Sequence, residues 1–194
     1  MMRLRPIMWF VAMIIAGLLV VQVVGGGYYP IAMVNGSWIM QKDFRNARRG
    51  FITYYQQFIN TYEDPKNADA ARAQLASQGV EASTLTMLIE ERLIHAALQT
   101  ELGKDLQTTI KNRTEKYDAD PELQNAAHTV SGLSFREFRA LMLVPKAEED
   151  ILAGRLSLKG KTLDDWIREA KHAGEVKIFS RALYWDGVEV KNRE

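Results

Sequence analysis

The stretch Ile31-Ala-Met-Val-Asn-Gly-Ser-Trp-Ile-Met40 decides the fold, because it sets an Asn-Gly dipeptide between two short apolar runs. Asn and Gly accept the positive φ angles that a two-residue hairpin turn needs, so the stretch predicts two antiparallel strands. The sequence before it is almost continuously apolar, whereas helical patterns follow it from about Asp43 to residue 174. The hairpin therefore marks the border between two parts of the chain with different environments.

The other good strand candidate lies near the C-terminus, in Val176-Lys-Ile-Phe-Ser-Arg-Ala-Leu-Tyr-Trp185. Val176 and Ile178 point to one face of such a strand and Phe179 to the other. The Asp-Gly dipeptide that follows predicts a turn. Because two isolated strands are only marginally stable in water, we expect this strand to pair with residues 31–34 across the intervening helices.

Residues 7–24 form an apolar run in which Gln22 is the only polar side chain. A helix needs about 20 apolar residues to cross a bilayer core, and the run reaches that length together with Gly25–Gly27. Arg3 and Arg5 precede the run, which predicts a cytoplasmic N-terminus and an extracytoplasmic domain. A cleaved signal peptide is the alternative, although its apolar core is usually shorter and an Ala-x-Ala site is missing.

Helical patterns fill the chain between the two predicted β segments, and the helix over 83–102 is apolar enough to be the central one. We expect a mainly α fold: a transmembrane helix, then a helical domain closed by a small antiparallel β element. The predicted boundaries are 1–27 for stub, anchor and flexible glycine joint, 28–187 for the domain and 188–194 for a tail. The predicted helices cover residues 43–62, 65–78, 83–102, 105–117, 121–129, 134–156 with a kink or boundary near Pro145, and 163–173.

The first of these helices carries an unusually aromatic stripe at 3-4-3-4 spacing. The stripe contains Phe44, Phe51, Tyr54, Tyr55, Phe58 and Tyr62. An ordinary core explains its phenylalanines, whereas its tyrosines have a polar tip that suits a half-open, wet surface. Methionine and aromatic side chains also adapt to varied apolar partners. We therefore predict a peptide-binding surface made of Tyr54, Tyr55, Phe58, Tyr62 and Met87.

Candidate catalytic and metal-binding groups are few. Cysteine is absent, so the chain has no thiol nucleophile and no disulfide. The three histidines, His95, His128 and His172, lack the helical spacing of a metal site. The acidic clusters Glu90-Glu91 and Glu148-Glu149-Asp150 fit solvated helix faces better than acid–base catalysis. A net charge of +1, from 25 basic and 24 acidic residues, argues against nucleic-acid binding. The sequence predicts no catalytic residue, metal or cofactor.

Several motifs, in their order and spacing, resemble the SurA-type N-terminal chaperone domain. Val34-Asn35-Gly36 ahead of a helix looks like the opening of that domain. Leu85–Ile94 resembles one of its later helices, and Gly132–Phe138 resembles the start of the next. Val176–Phe179 is similar to the segment that returns to the first strand. The resemblance covers about residues 31–185.

The resemblance implies an ATP-independent chaperone that binds unfolded or newly secreted polypeptides. Members often carry a parvulin prolyl isomerase domain before the returning segment, but only a few residues separate Leu156 from Thr162 here. The His-Ile-Leu and Gly-Gly-Asp-Leu-Gly stretches of a parvulin domain are also missing. We therefore expect a non-enzymatic relative held at the cell membrane through residues 7–24. The alternative is a membrane-bound adaptor or structural subunit that binds one fixed protein partner.

Overall fold

The computed structural model describes residues 13, 25–62 (backbone only at 61 and 62) and 79–193. The predicted anchor at 7–24, apart from Met13, and the predicted helix at 65–78 lie outside the described residues. Within these limits, no helix is long and apolar enough to cross a bilayer. The described chain is mainly helical with small antiparallel sheets, which confirms the predicted fold class at that level.

The Asn-Gly hairpin forms as predicted. Strands β1 (Pro30–Val34) and β2 (Ser37–Met40) pair antiparallel around a two-residue turn. In that turn Asn35 has a φ of 48° and Gly36 a φ of 80°, the two positive angles of a type I′ turn. The returning strand β3 (Val176–Ile178) pairs antiparallel with β1, so the two ends of the domain close on one three-stranded sheet.

Seven α-helices lie in the described chain. They are α1 (Gln41–Tyr62), α2 (Val80–Leu102), α3 (Leu106–Asp118), α4 (Pro121–Ser131), α5 (Phe135–Phe138), α6 (Val144–Ser157) and α7 (Leu163–Ala173). Helix α2 begins three residues earlier than its sequence pattern predicts. A short 3-10 turn joins α2 to α3, and the π-helical segment Arg139–Leu143 joins α5 to α6.

Helix α2 is the central element of the fold, as its apolar circumference predicts. Its first half packs Leu85 and Ile89 into a cluster with the three-stranded sheet and α1. Its second half packs Leu98 into a separate cluster with α3, α6 and α7. Both clusters exclude water almost completely around these side chains. The helix therefore connects the β end of the molecule to the helical end.

Two helix starts follow their sequence signals closely. The Ser134 hydroxyl accepts from the Glu137 N–H, and the Glu137 carboxylate accepts from the Ser134 N–H, so the predicted capping box is present. The Thr162 hydroxyl accepts from the Asp165 N–H at the start of α7. Pro145 lies in the first turn of α6, directly after the π-helical segment, which places the boundary where the proline predicts it.

The C-terminal segment differs from the single strand predicted to Trp185. The strand β3 ends at Ile178, a turn follows in which the Ser180 hydroxyl accepts from the Ala182 N–H, and β4 (Leu183–Trp185) then begins. The predicted tail at 188–194 contains strand β5 (Val190–Asn192), which pairs with β4. The turn redirects the chain so that Leu183 and Val190 enter the core beside α2.

The predicted flexible joint is attached to the domain instead. The Gly27 carbonyl accepts from the Lys42 N–H at 3.0 Å, and the Tyr29 carbonyl accepts from the Gln41 N–H at 2.8 Å. The Arg45 guanidinium donates to the Gly25 carbonyl at 3.4 Å. The bonds from Gln41 and Lys42 satisfy N–H groups at the start of α1, which a helix leaves without partners of its own.

Candidate functional site

An apolar groove of about 530 Å³ opens between α1 and α4. The wall formed by α1 presents Ala47, Gly50, Phe51 and Tyr54 at helical spacing, so they share one face. The opposite wall is formed by α4 and by the segment that follows it. Its side chains are those of Leu123, Ala126, Ala127, Val130, Leu133, Phe138, Leu141 and Met142.

Two glycines bring the walls of the groove together. A Cβ atom on Gly50 would lie 3.3 Å from Leu133 Cδ1, and one on Gly132 would lie 2.6 Å from Thr53 Cγ2. Gly132 also has a φ of 64°, which ends α4 in the left-handed conformation that glycine adopts without cost. The absence of a side chain at these two positions therefore lets Leu133 pack close to α1 and Thr53 pack close to the end of α4.

Aromatic rings form the open side of the groove on α1. The rings of Phe51 and Tyr55 have centroids 4.5 Å apart, and Tyr54 meets Tyr55 edge-on at 5.7 Å. Tyr54 is 39% exposed and Tyr55 is 40% exposed. Offset and edge-on rings stabilise one another, so this cluster presents a preformed apolar surface to the solvent.

The groove lining is almost entirely apolar. Ser131 is its one non-aromatic polar side chain in the described chain, and the Ser131 hydroxyl donates to the Ala127 carbonyl within its own helix. The ion pair between Arg49 of α1 and Glu137 of α5 is not part of the groove lining. The hydrogen bonds from Ser134 lower the pKa of Glu137, so this carboxylate stays charged. The groove therefore offers hydrophobic contact and no charged partner for a ligand.

Three of the five predicted peptide-binding residues come together. Tyr54, Tyr55 and Met87 all line the groove, with Met87 contributed by α2. Phe58, which is 43% exposed, is not among the described residues that line it, and its exposure excludes the core role that the helix pattern allowed. Tyr62 ends α1, and its side chain lies outside the described residues.

The opposite wall was not predicted. Leu123, Ala126, Ala127 and Val130 recur every three or four residues in α4, which is the signal of an amphipathic face. That signal could have identified the apolar face of α4, but it does not say which helix the face would meet. The pairing of α4 with α1 depends on contacts between distant parts of the chain.

A second, polar cleft of about 620 Å³ lies on the other side of the π-helical segment, among α2, α3 and α6. His95 Nδ1 lies 2.8 Å from Glu148 Oε1 in this cleft, and Glu148 is 5% exposed. Glu91 also lines the cleft. The prediction of a solvated face is therefore wrong for Glu148, which neighbouring helices cover, whereas Glu91 is half-buried.

No group of three potential ligands from His, Cys, Asp and Glu occurs in the described part of the chain. His128 and His172 are exposed on other helices, as the sequence predicts for surface histidines. The His95–Glu148 pair joins α2 to α6.

No protein-family model, no curated protein and no solved structure matches the chain.

Proposed function

We propose that this chain is a membrane-anchored, extracytoplasmic, ATP-independent chaperone that holds apolar segments of unfolded or newly secreted polypeptides. The observation that carries the proposal is the open groove lined by Tyr54, Tyr55 and Met87 without a charged side chain among the described residues. Unfolded chains expose apolar side chains in many sequences, so a surface that selects only for hydrophobicity suits them.

The size of the groove fits a transient complex. A volume of about 530 Å³ accommodates a few apolar side chains, each contributing roughly 1.5–3 kcal/mol when fully buried. The loss of translational and conformational freedom offsets much of this gain. We therefore expect weak, reversible binding, which permits release of a client without ATP.

The sequence resemblance supports the finer assignment of the fold. The hairpin at Asn35-Gly36, the capped helix start at Ser134 and the returning strand β3 occur in the order expected of a SurA-type N-terminal domain. The apolar run at 7–24 and the arginines before it support an anchor with the domain outside the cell membrane.

The groove is tested by filling it in the full chain, held in nanodiscs. Ala126→Trp places a large ring in the groove from α4, and Asn125→Trp places the same ring on the exposed neighbouring position as a matched control. We expect Asn125→Trp to suppress aggregation of a denatured, unrelated protein like the unmodified chain. We expect Ala126→Trp to lose at least half of this suppression because the apolar surface is occupied.

The tyrosines are tested separately. Tyr54→Ser together with Tyr55→Ser should reduce aggregation suppression severalfold, because it removes most of the open aromatic surface. Tyr117→Ser is the control, since Tyr117 is similarly exposed, at 37%, and lies outside the groove. Circular dichroism verifies that each variant is folded. Equal suppression by all variants would exclude the groove as the client site, and no suppression by the folded, unmodified chain would favour an adaptor with one fixed partner.

A further inference from the structure

The outer face of the three-stranded sheet is an exposed apolar surface with no helix against it in the described chain. Met33 pairs with Trp38 on β2 and with Lys177 on β3, so these three side chains form one row across the sheet. Trp38 is 51% exposed and Phe179 is 50% exposed. Their ring centroids lie 5.8 Å apart, so the two rings meet on this face. Adjoining exposed rings, unlike apolar side chains scattered singly, are typical of a protein or membrane interaction site.

This face is close to the end of the apolar run. Tyr28, 56% exposed, lies four residues after Val24, and four residues span at most roughly 14 Å. The Tyr28 hydroxyl accepts from Lys42 Nζ at 3.3 Å, and the Lys42 ammonium lies 5.1 Å from the Tyr28 ring centroid. The Gly27 carbonyl accepts from the Lys42 N–H, so the chain that follows the run is held at the start of α1 before it enters β1.

The chemistry of this end of the molecule matches the headgroup region of a bilayer. Tryptophan and tyrosine concentrate there because one end of the ring is apolar and the other is wet. Lysine and arginine extend their charged ends toward the phosphates while their stems stay in the apolar layer. Lys42 and Arg45 lie in the first two turns of α1, directly after β2, and Arg181 follows β3 by three residues. Lys177 on β3 is paired with Glu175.

We propose that the outer face of this sheet rests on the membrane surface, with Trp38 and Phe179 in the headgroup region of the bilayer that holds residues 7–24. The inference rests on the membrane anchor of the proposed function and adds a second, peripheral contact with lipid. Apolar rings provide the main contact, so zwitterionic lipid suffices and anionic lipid adds a small increment.

Such a contact would orient the client groove. Tyr54 lies twelve residues after Lys42 in α1, which corresponds to roughly 18 Å along the helix axis. A sheet fixed on the bilayer fixes the direction of α1 as well, because β2 leads into α1 without a loop. The groove is then presented at a set position relative to the membrane instead of rotating freely on a tether.

The test uses site-directed spin labels, which the absence of native cysteine allows. The full chain with Lys177→Cys carries the label on the sheet face, and Lys159→Cys carries it on the exposed turn after α6, at the opposite end of α2. Both are reconstituted in phosphatidylcholine vesicles, with and without added phosphatidylglycerol. Collision rates of the nitroxide with oxygen and with a water-soluble nickel chelate are then measured.

We expect the label at residue 177 to collide several times more often with oxygen than with nickel, and the label at residue 159 to show the reverse. In the Lys177→Cys background, Trp38→Ser together with Phe179→Ser should return the label to water. Equal nickel accessibility at both positions in chains that float with the vesicles would overturn the sheet contact alone. Chains that do not float would overturn the anchor and the sheet contact together, and aggregation suppression would still report on the groove.

Discussion

Glu91 is a carboxyl group in the polar cleft with neither a hydrogen bond nor an ion pair within the described chain. Burial, opposed by Arg92 and reinforced by Glu148, Glu149 and Glu90, raises the pKa of Glu91 from 4.5 to about 7. The unfolded chain ionises this group above about pH 4.5, whereas the folded chain keeps the proton until about pH 7. The folded state therefore binds more protons in this range, and its stability falls as the pH rises through it.

We predict that Glu91→Gln removes this loss. When the pH is raised from 5 to 8, the unfolding free energy of the variant should increase relative to that of the unmodified chain by roughly 2 kcal/mol. This is less than the full pKa shift of Glu91 would give, because part of the carboxyl reaches solvent. Urea unfolding of the full chain in detergent at both pH values measures the difference. Glu115→Gln, at an exposed position of α3, serves as the control, since Glu115 is not among the charges that act on Glu91. A stability difference independent of pH would show that Glu91 ionises normally.

The contrast between Glu91 and its neighbour shows what a residue pattern leaves open. Glu90 and Glu91 are adjacent acids on the same helix, yet Glu90 pairs with Lys171 of α7 while Glu91 faces the cleft. Helical periodicity places them about 100° apart. Periodicity does not show which face of α2 is buried, because the helix that packs on that face, α6, lies more than fifty residues later in the chain.

At the scale of the element, Asn35 connects the hairpin to the returning strand. Its side-chain oxygen accepts from the Glu175 N–H at 2.8 Å, and its own N–H donates to the Glu175 carbonyl at 2.9 Å. Asn35→Gly keeps the positive φ and loses one hydrogen bond, worth about 1 kcal/mol. Asn35→Ala loses the same bond and adds about 1 kcal/mol of backbone strain at φ 48°.

Asn35→Ala should therefore unfold at a lower temperature than Asn35→Gly, which in turn unfolds below the unmodified chain. Thermal denaturation followed by circular dichroism measures the order. Identical melting of the two variants would mean that the turn does not hold the left-handed conformation.

Elements with local signals were predictable, and elements that depend on distant contacts were not. The cap residues Ser134 and Thr162 act on N–H groups within three residues, so their helices begin where the sequence predicts. The strand β5 has no such signal, since only three residues pair and they gain stability by lying on α2. Its recognition required knowledge of the core.

The π-helical segment is an element whose consequence appears only in three dimensions. One wider turn at Arg139–Leu143 changes the register of the helix between α5 and α6. Leu141 lines both cavities, while Met142 faces the apolar groove and Arg139 faces the polar cleft. Arg139 donates to Asp118 at 2.8 Å and to Thr114 at 3.1 Å, which holds the segment against α3. The segment separates two cavities of opposite character.

For the whole molecule, one wall of the apolar groove could be predicted from the sequence and the other could not. The aromatic stripe of α1 is a local pattern that the sequence predicts. The groove also needs α4 to pack against α1, which it does near Gly50 and Gly132. A glycine that permits close helix packing looks the same in sequence as one that ends a helix. The groove volume and its second wall are therefore properties of the assembled fold.

The closing of the fold by its last strand gives a final prediction. Val190 is 4% exposed, and its N–H donates to the Thr86 hydroxyl of α2 at 2.9 Å. A chain shortened at its C-terminus to end at Gly187, the domain boundary that the sequence predicts, loses the Val190 side chain. It also loses strand β5, which pairs with β4. Burial of one valine contributes about 1.5 kcal/mol or more, and the lost pairing exposes Leu183, which is 2% exposed in the intact domain.

We expect the shortened chain to lose at least about 2 kcal/mol of unfolding free energy, measured by urea unfolding, and to bind a hydrophobic dye. A chain ending at Arg193 is the matched control and should unfold like the full chain, because β5 and its bond to α2 remain. If the chain ending at Gly187 were as stable as the full chain, residues 188–194 would contribute nothing to the free energy of unfolding, and the core would end at β4.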